Sequence, residues 1–524
     1  MRDLHLPGRS AVYARNGICA TSHPIAAQVA VEMLKSGGNA VDAAIAAALV
    51  LGIAEPQMTG IGGDCFALIK PPGSEDIIAL NGSGRSPKGL NASDLRAKGM
   101  TAIPIQGIEA VTLPGAIDAF CRLNADYGLK SLAETLAPAI RYADEGIPVA
   151  LRVATDWATD LPCLKGAARD FYSFGGKAPA VGQVFRAPGQ AEVLRRIARE
   201  GRAAFYEGEV AEDMIASLRA LGGCHGLDDL ASTSCAYSAP VSGPYHGIDL
   251  VEHPPNGQGA TAILLLNILK HFDLKAMEPF GSRRAHIEAE ATKLAYDARN
   301  RFIADPDHTT RLKHLLAPET ASRLATLIDP KRAMPAAAPL TEAVHRDTVY
   351  ITVVDRDRMA VSLIYSVFWG FGSGFASTKF GINFQNRGAG FTLAEGHPNE
   401  AAGGKRPMHT IIPGMIRSGG RVTMPFGVMG GAYQPCGHAR FVTNLVDFGL
   451  DPQDAIDAPR SFSGPGGLEV ERGYSDAVRT DLAALGHKVV IPETPLGGAQ
   501  AIRIDGDVLV GASDPRKDGC ALGY

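Results

Sequence analysis

At 524 residues, with 46% hydrophobic and 20% charged residues, the chain has the composition of an ordinary globular protein with a large core. Its 51 basic and 55 acidic residues are spread along the sequence, with a formal net charge of -4 and no basic patch interleaved with aromatics, so nucleic acid is excluded as the natural partner. The longest apolar run, Ala43 to Ala54, is well short of the roughly 20 residues that span a bilayer, and Met1 to Ser10 lacks the apolar core of a signal peptide, so the expectation is a soluble, cytoplasmic protein without membrane contact.

Length alone suggests several domains. In chain order, Ser22 is a candidate N-cap with Pro24 in the first turn of a helix. Its apolar stripe is Ile25, Val29, Met33 and Leu34, and Gly37-Gly38 ends it. A second helix, Ala40 to about Leu51, is apolar nearly all round and therefore buried. Residues 56–64 form a Gly- and Thr-rich turn into a strand, Cys65 to Ile69. The region 130–330 reads as mostly helical, with segments at Leu132–Glu145, Ala191–Glu200, Val210–Leu221 and His286–Phe302. From 348 the character turns to β. Thr348–Val354 and Ala360–Val367 are strands joined by the turn Asp355 to Arg358, with further strands expected at Phe380–Phe384, Thr410–Met415 and Val422–Phe426. The segment Ala333 to Glu342 is rich in Ala and Pro, without periodicity, and reads as a flexible linker. There is no internal repeat.

Eight cysteines are scattered without a CxxC pair, which favours free thiols, and the 14 histidines form no HExxH pair of the metal-binding kind. Neither GxGxxG nor a Walker-type phosphate loop occurs in a strand-to-helix setting, so no metal or other cofactor is expected. Cys436, shortly after Gly430-Gly431, is either a thiol nucleophile or a small buried hydrophobe. Asp347-Thr348 is the other nucleophile candidate. Threonine favours strands in any case. Cutting the bond before it, however, would place a hydroxyl and an α-amine on one residue, and an amine with a pKa of about 7.7–8.0 can act as that hydroxyl's base near neutral pH.

Asp347-Thr348, Gly427-Val428-Met429-Gly430-Gly431, Phe371-Gly372-Ser373-Gly374 and the early run from Gly37-Gly38-Asn39 to Gly62-Gly63-Asp64 occur in a fixed order. With Val111 to Gly115, Pro254 to Gly259 and Ser513 to Arg516, they make nearly the whole chain resemble the γ-glutamyltransferase (glutathione hydrolase) family of N-terminal nucleophile (Ntn) hydrolases. The resemblance implies an αββα sandwich, two antiparallel sheets between helix layers. It also implies self-cleavage into a large subunit, 1–347, and a small one, 348–524, that fold as one unit. A heterotetramer of two large and two small subunits is one assembly open to such a protein. Many bacterial relatives are exported, and the missing leader departs from them.

In that family Thr348 would be the nucleophile, first on the carbonyl of Asp347 and then on a substrate amide. Gly430 and Gly431 would offer backbone N–H groups to the oxyanion, and Ser366, 18 residues after Thr348, would hydrogen-bond the nucleophile. The substrate-binding positions depart from the pattern. Phe368 stands where the family has an Asn, Arg387 where it has a Gln, Gly390 where it has the Asp that pairs with the glutamyl ammonium, and His409-Thr410 where two serines are expected. Arg85 lies two positions from the family's carboxylate-binding Arg; with Asn386 it completes the candidate binding set. A lost acid and a gained guanidinium point to a substrate with a carboxylate and no ammonium near the scissile amide, as in oxamate amidohydrolases or acylases acting on glutaryl- or cephalosporin-type side chains. Arg387 is otherwise a surface salt bridge, and His409 a satisfied core histidine. True glutathione hydrolysis or transfer, or a non-catalytic binding protein that never processes, are the competing readings.

Overall fold

The alternation from residue 348 onward forms a hairpin in the computed structural model, which describes His5 and residues 8–335, 348–464 and 466–524. Strands Val349–Asp355 and Ala360–Ser366 pair antiparallel, with Val349 opposite Tyr365. They are the middle of a seven-stranded sheet whose order is Cys520–Gly523, Gly17–Thr21, Val349–Asp355, Ala360–Ser366, Asp64–Lys70, Ile78–Gly82 and Ala236–Ser238. A second seven-stranded antiparallel sheet runs Val12–Ala14, Val508–Ser513, Gly498–Asp505, Arg421–Met429, Gly414–Ser418, Ile248–Glu252 and Val241–Tyr245.

Both faces of each sheet are covered. Val349, Ile351 and Val353 point to helices Pro24–Lys35, Ala40–Ala54 and Ala116–Tyr127. Tyr350 and Val354, of opposite parity, point to the other sheet, where Phe66, Ile364, Met415, Met429 and Ile502 fill the space between the sheets. Helices Gly259–Leu269, Ser282–Phe302 and Gln434–Val446 close the far side. This is the αββα sandwich, and its buried strands read as nearly continuous apolar runs because neither face meets water.

Ala40–Ala54 is buried along its whole length and starts from a capping box built by Asn39 and Asp42. The first helix is capped by His23, whose ring accepts the Ile25 N–H; Ser22 instead bonds Glu55. Three expectations about secondary structure need correcting. Residues 236–252 hold three strands inside a region read as helical; His246 and Gly247, at φ 41° and 95°, form the two-residue turn between the last two. Phe380–Phe384 is a loop held by one isolated bridge, Asn383 to Ala376, with Ser377 N–H donating to Ile382 O, while Phe380, Ile382 and Phe384 enter the helix-side core. Its alternation reports burial, not sheet pairing. The strand expected at 410–415 begins at Gly414. Asp347 and the linker from 336 onward lie outside the described residues. Among the described residues no helix is long and apolar enough to cross a membrane.

Candidate functional site

The hairpin register decides the first contact. Thr348 precedes Val349 and therefore comes opposite Ser366, and their hydroxyls lie 3.3 Å apart, both buried. In the next strand Asp64 is the cross-strand partner of Ser366. The chain leaves Ser366 through Phe368, which takes the left-handed φ of 85° and donates its N–H to Ser366 Oγ at 2.8 Å. Asn386 braces this turn: Oδ1 accepts the Trp369 N–H and Nδ2 donates to Ile105 O.

Arg387 is fully buried, so it is not a surface ion pair. Nη2 lies 3.3 Å from Ser366 Oγ, Nη1 donates to Thr410 Oγ1 at 2.9 Å, and the guanidinium carbon sits 4.0 Å above the Phe368 ring centroid. Thr410 O in turn accepts from Gln258 Nε2, which also donates to Gly431 O at 3.1 Å. One chain of hydrogen bonds thus connects Thr348, Ser366, Arg387, Thr410, Gln258 and Gly431. Gly430 and Gly431 form the turn between strand Arg421–Met429 and the short helical turn leading into Gln434–Val446. Gly430 has φ 121°, and a Cβ there would come 2.8 Å from Gly497 Cα. Gly427, upstream, leaves room for the Tyr350 ring, which a Cβ would meet at 2.3 Å, so the two sheets approach closely beside Thr348.

His409 is an interior histidine. Its Nε2 lies 3.1 Å from Asp64 Oδ2, Nδ1 accepts the Ile411 N–H, and its ring packs against Phe66. Burial, and then the Arg387 and His253 charges, hold its pKa well below the usual histidine range. Burial pushes the Asp64 carboxyl up to about 6 against the opposing pull of Arg387, Gln385 and the Gly84 and Gly115 N–H groups. The lowered His409 pKa makes this a neutral imidazole facing the Asp64 carboxyl.

Arg85 stands apart from this chain of contacts: its half-exposed side chain pairs with Asp305 at 3.3 Å and donates to Gly404 O. Cys436 is buried among apolar neighbours, and burial pushes its thiol up to about 12, the wrong direction for a nucleophile. None of the eight cysteines forms a disulfide in the described residues. One group among the described residues, His286, Glu290 and His487, has ligand atoms within 4.8 Å of one another. Lys293 already neutralises Glu290 at 2.7 Å, Met334 N–H takes its other oxygen, and the two imidazoles bond each other at 2.8 Å. That network anchors the chain up to Met334 and leaves a cation no free donor set. Asp64, Gln385 and Gln258 were not singled out as site residues from sequence. A carboxylate directly before the apolar run Cys65–Ile69 was the one available signal, at Asp64.

Two antiparallel sheets between helix layers, with the hydroxyl residue at the head of a central strand, are the architecture of the Ntn hydrolases. Comparison with known proteins agrees. The Gamma-glutamyltranspeptidase family profile matches residues 26–524. A glutathione hydrolase-like proenzyme of Bacillus subtilis, YwrD, is 37% identical over 96% of this chain and 97% of its own. The oxamate amidohydrolase proenzyme of Klebsiella pneumoniae is 34% identical, covering 97% of this chain and 98% of its own. Among solved structures, the cephalosporin acylase of Bacillus halodurans superposes with a TM-score of 0.93 at 37% identity, over 100% of this chain and 98% of that one. The chain belongs to the γ-glutamyltranspeptidase family, and it is an enzyme of the Ntn-hydrolase class.

Proposed function

We propose that Thr348 is the nucleophile, that the bond between Asp347 and Thr348 is cut by Thr348 itself, and that the mature enzyme hydrolyses small amides carrying a carboxylate beside the scissile bond. Residues 1–347 and 348–524 would then be its two subunits. The observation that carries the reading is the shared Ser366 hydroxyl, within 3.3 Å of both the Thr348 hydroxyl and the Arg387 guanidinium. A cationic fork one side chain away from the attacking oxygen suits a short substrate such as oxamate, whose carboxylate is bonded to the amide carbon. The name of the K. pneumoniae relative, an oxamate amidohydrolase, supports the same reading.

The acceptor load on Ser366 supports one proton order. Ser366 Oγ accepts from Phe368 N–H and Arg387 Nη2, so its own proton is the one it can offer to Thr348. Thr348 Oγ1 then accepts from Ser366 and keeps its own proton for a base. In the precursor Oγ1 attacks the Asp347 carbonyl, the acyl group moves from nitrogen to oxygen, and water hydrolyses the ester. In the mature enzyme the freed α-amine takes the hydroxyl proton as Oγ1 attacks the substrate amide. The tetrahedral oxyanion is met by the backbone N–H groups of Gly430 and Gly431, each worth about 2.7–4 kcal/mol by analogy with other oxyanion holes. The amine leaves with a proton, and water resolves the acyl-enzyme.

Intact mass and N-terminal sequencing of purified protein test the first half. Two chains are expected, one beginning Thr-Val-Tyr-Ile, and a single uncut chain without amidase activity for Thr348→Ala. Normal processing of that variant overturns the assignment. Turnover of oxamate, glutaryl-amides and γ-glutamyl-anilides tests the second half. Fast turnover of the γ-glutamyl compound alone returns the enzyme to glutathione-type substrates.

A further inference from the structure

Asp64 is fully buried and stands in one row with Thr348 and Ser366 at the end of the first sheet. Donors meet both oxygens of its carboxylate. Oδ1 accepts the Gly84 N–H and Gln385 Nε2, each at 2.8 Å, and Oδ2 accepts from His409 Nε2 at 3.1 Å. Gln385 lies two residues before Arg387. His409 lies immediately before Thr410, whose hydroxyl receives Arg387 Nη1. One buried carboxylate therefore fastens both the segment that carries the guanidinium and the segment that carries the guanidinium's acceptor. Gln385 Nε2 also donates to Leu113 O, which ties this joint to the backbone crossing behind it.

The polarity of the joint is determined. His409 Nδ1 accepts the Ile411 N–H, so the neutral ring carries its proton on Nε2 and aims it at Asp64. An amide in place of the carboxylate has one accepting oxygen where two are used. Its NH2 would face either His409 Nε2–H or the Gly84 and Gln385 donors. A donor then opposes a donor, and one arm of the joint has to move.

We propose that Asp64 is a positioning residue for substrate recognition, holding Arg387 in register with Ser366 through Gln385 on one side and His409-Thr410 on the other. This rests on Arg387 being the carboxylate-binding group. Asp64 touches no reacting atom; its effect reaches substrate through the direction of the guanidinium fork. A role confined to folding would lower turnover of every substrate alike, whereas a positioning role separates substrates by their carboxylate.

The test uses processed enzyme and two amides of one size, oxamate and its neutral isostere oxamide, with wild type, Asp64→Asn and Gln385→Met. Gln385→Met cuts the second arm and leaves the carboxylate in place. Expected for Asp64→Asn is at least a tenfold fall in the oxamate-to-oxamide ratio of kcat/KM, with the KM of oxamate rising more than its kcat falls. Gln385→Met should lower the ratio at least threefold. A wild-type enzyme that does not prefer oxamate overturns the reading of Arg387, and the role of Asp64 with it. A wild-type preference that both variants retain overturns the role of Asp64 alone, as does an equal loss on both amides. Loss of self-cleavage in both variants also overturns it, because recognition of a free carboxylate plays no part in that step. If Asp64→Asn alone fails to process, the ratio in Gln385→Met decides.

Discussion

Replacing Arg387 by Lys preserves the charge and removes the fork. In the structure the two terminal nitrogens serve different partners, Thr410 Oγ1 at 2.9 Å and Ser366 Oγ at 3.3 Å, while the plane rests on Phe368. An ammonium is a point donor on a flexible stem and cannot hold both hydroxyls and a planar carboxylate in one geometry. A hydrogen bond to a charged group contributes about 1.5–3 kcal/mol. Loss of one such bond to the substrate carboxylate, at roughly 1.4 kcal/mol per tenfold, lowers kcat/KM for oxamate by about 10- to 150-fold. Loss of the stacking on Phe368, about 0.5–2 kcal/mol, falls on protein stability and not on substrate choice. Steady-state ammonia release from oxamate and oxamide, with processing checked by gel and stability by thermal melt, separates these terms. Expected is a loss concentrated in KM and in oxamate. Equal losses on the two amides would refute the reasoning, and so would a Lys variant that handles oxamate like wild type.

The other two predictions concern the oxyanion turn and pH. Gly430→Ala places a side chain at φ 121° with its Cβ 2.8 Å from Gly497 Cα, so about 1–3 kcal/mol of strain is relieved by moving the turn. Self-cleavage and amide turnover should both slow by two orders of magnitude or more, read as the half-time of band splitting and as kcat; unchanged rates would remove this turn from the chemistry. Glu55 is buried against Ser22 at 2.6 Å, and burial pushes its carboxyl from 4.5 up to about 7. A folded-state pKa raised above the unfolded one gives stability that is complete below about 4.5 and is lost as pH rises through about 7. Glu55→Gln removes this dependence, on the order of 3 kcal/mol across that window. The variant should melt higher than wild type at pH 8 and lose the advantage by pH 4.5; an advantage that does not change with pH contradicts the burial argument.

What could be read from the chain alone was local. The two strands and the short turn between them were legible, while the meeting of Thr348 with Ser366 was implied by the family resemblance and has its physical reason in the hairpin register. The buried helix starting at Ala40 was legible because apolar continuity is local, although the structure carries it past Leu51 to Ala54 and adds the Asn39 cap; the role of Gly430-Gly431 came from the family resemblance. Periodicity failed where burial imitated pairing, as at Phe380–Phe384, and where a short hairpin at 241–252 lay within a long helical region. Sequence also left Cys436 open between thiol chemistry and packing, since nothing in a local pattern sets the dielectric around a side chain. The core enclosing it resolved that choice.

Arg387 shows the division most clearly. Its residue type, and the absence of an acid at Gly390, were enough to suggest a carboxylate ligand. That it lies buried against Ser366 follows only from the stacked sheets. Asp64 meets Gln385 across 321 residues of sequence and His409 across 345. Such contacts depend on which strands become neighbours and on how closely the two sheets approach. Both are set by closing long loops and burying apolar faces, which no stretch of sequence expresses by itself.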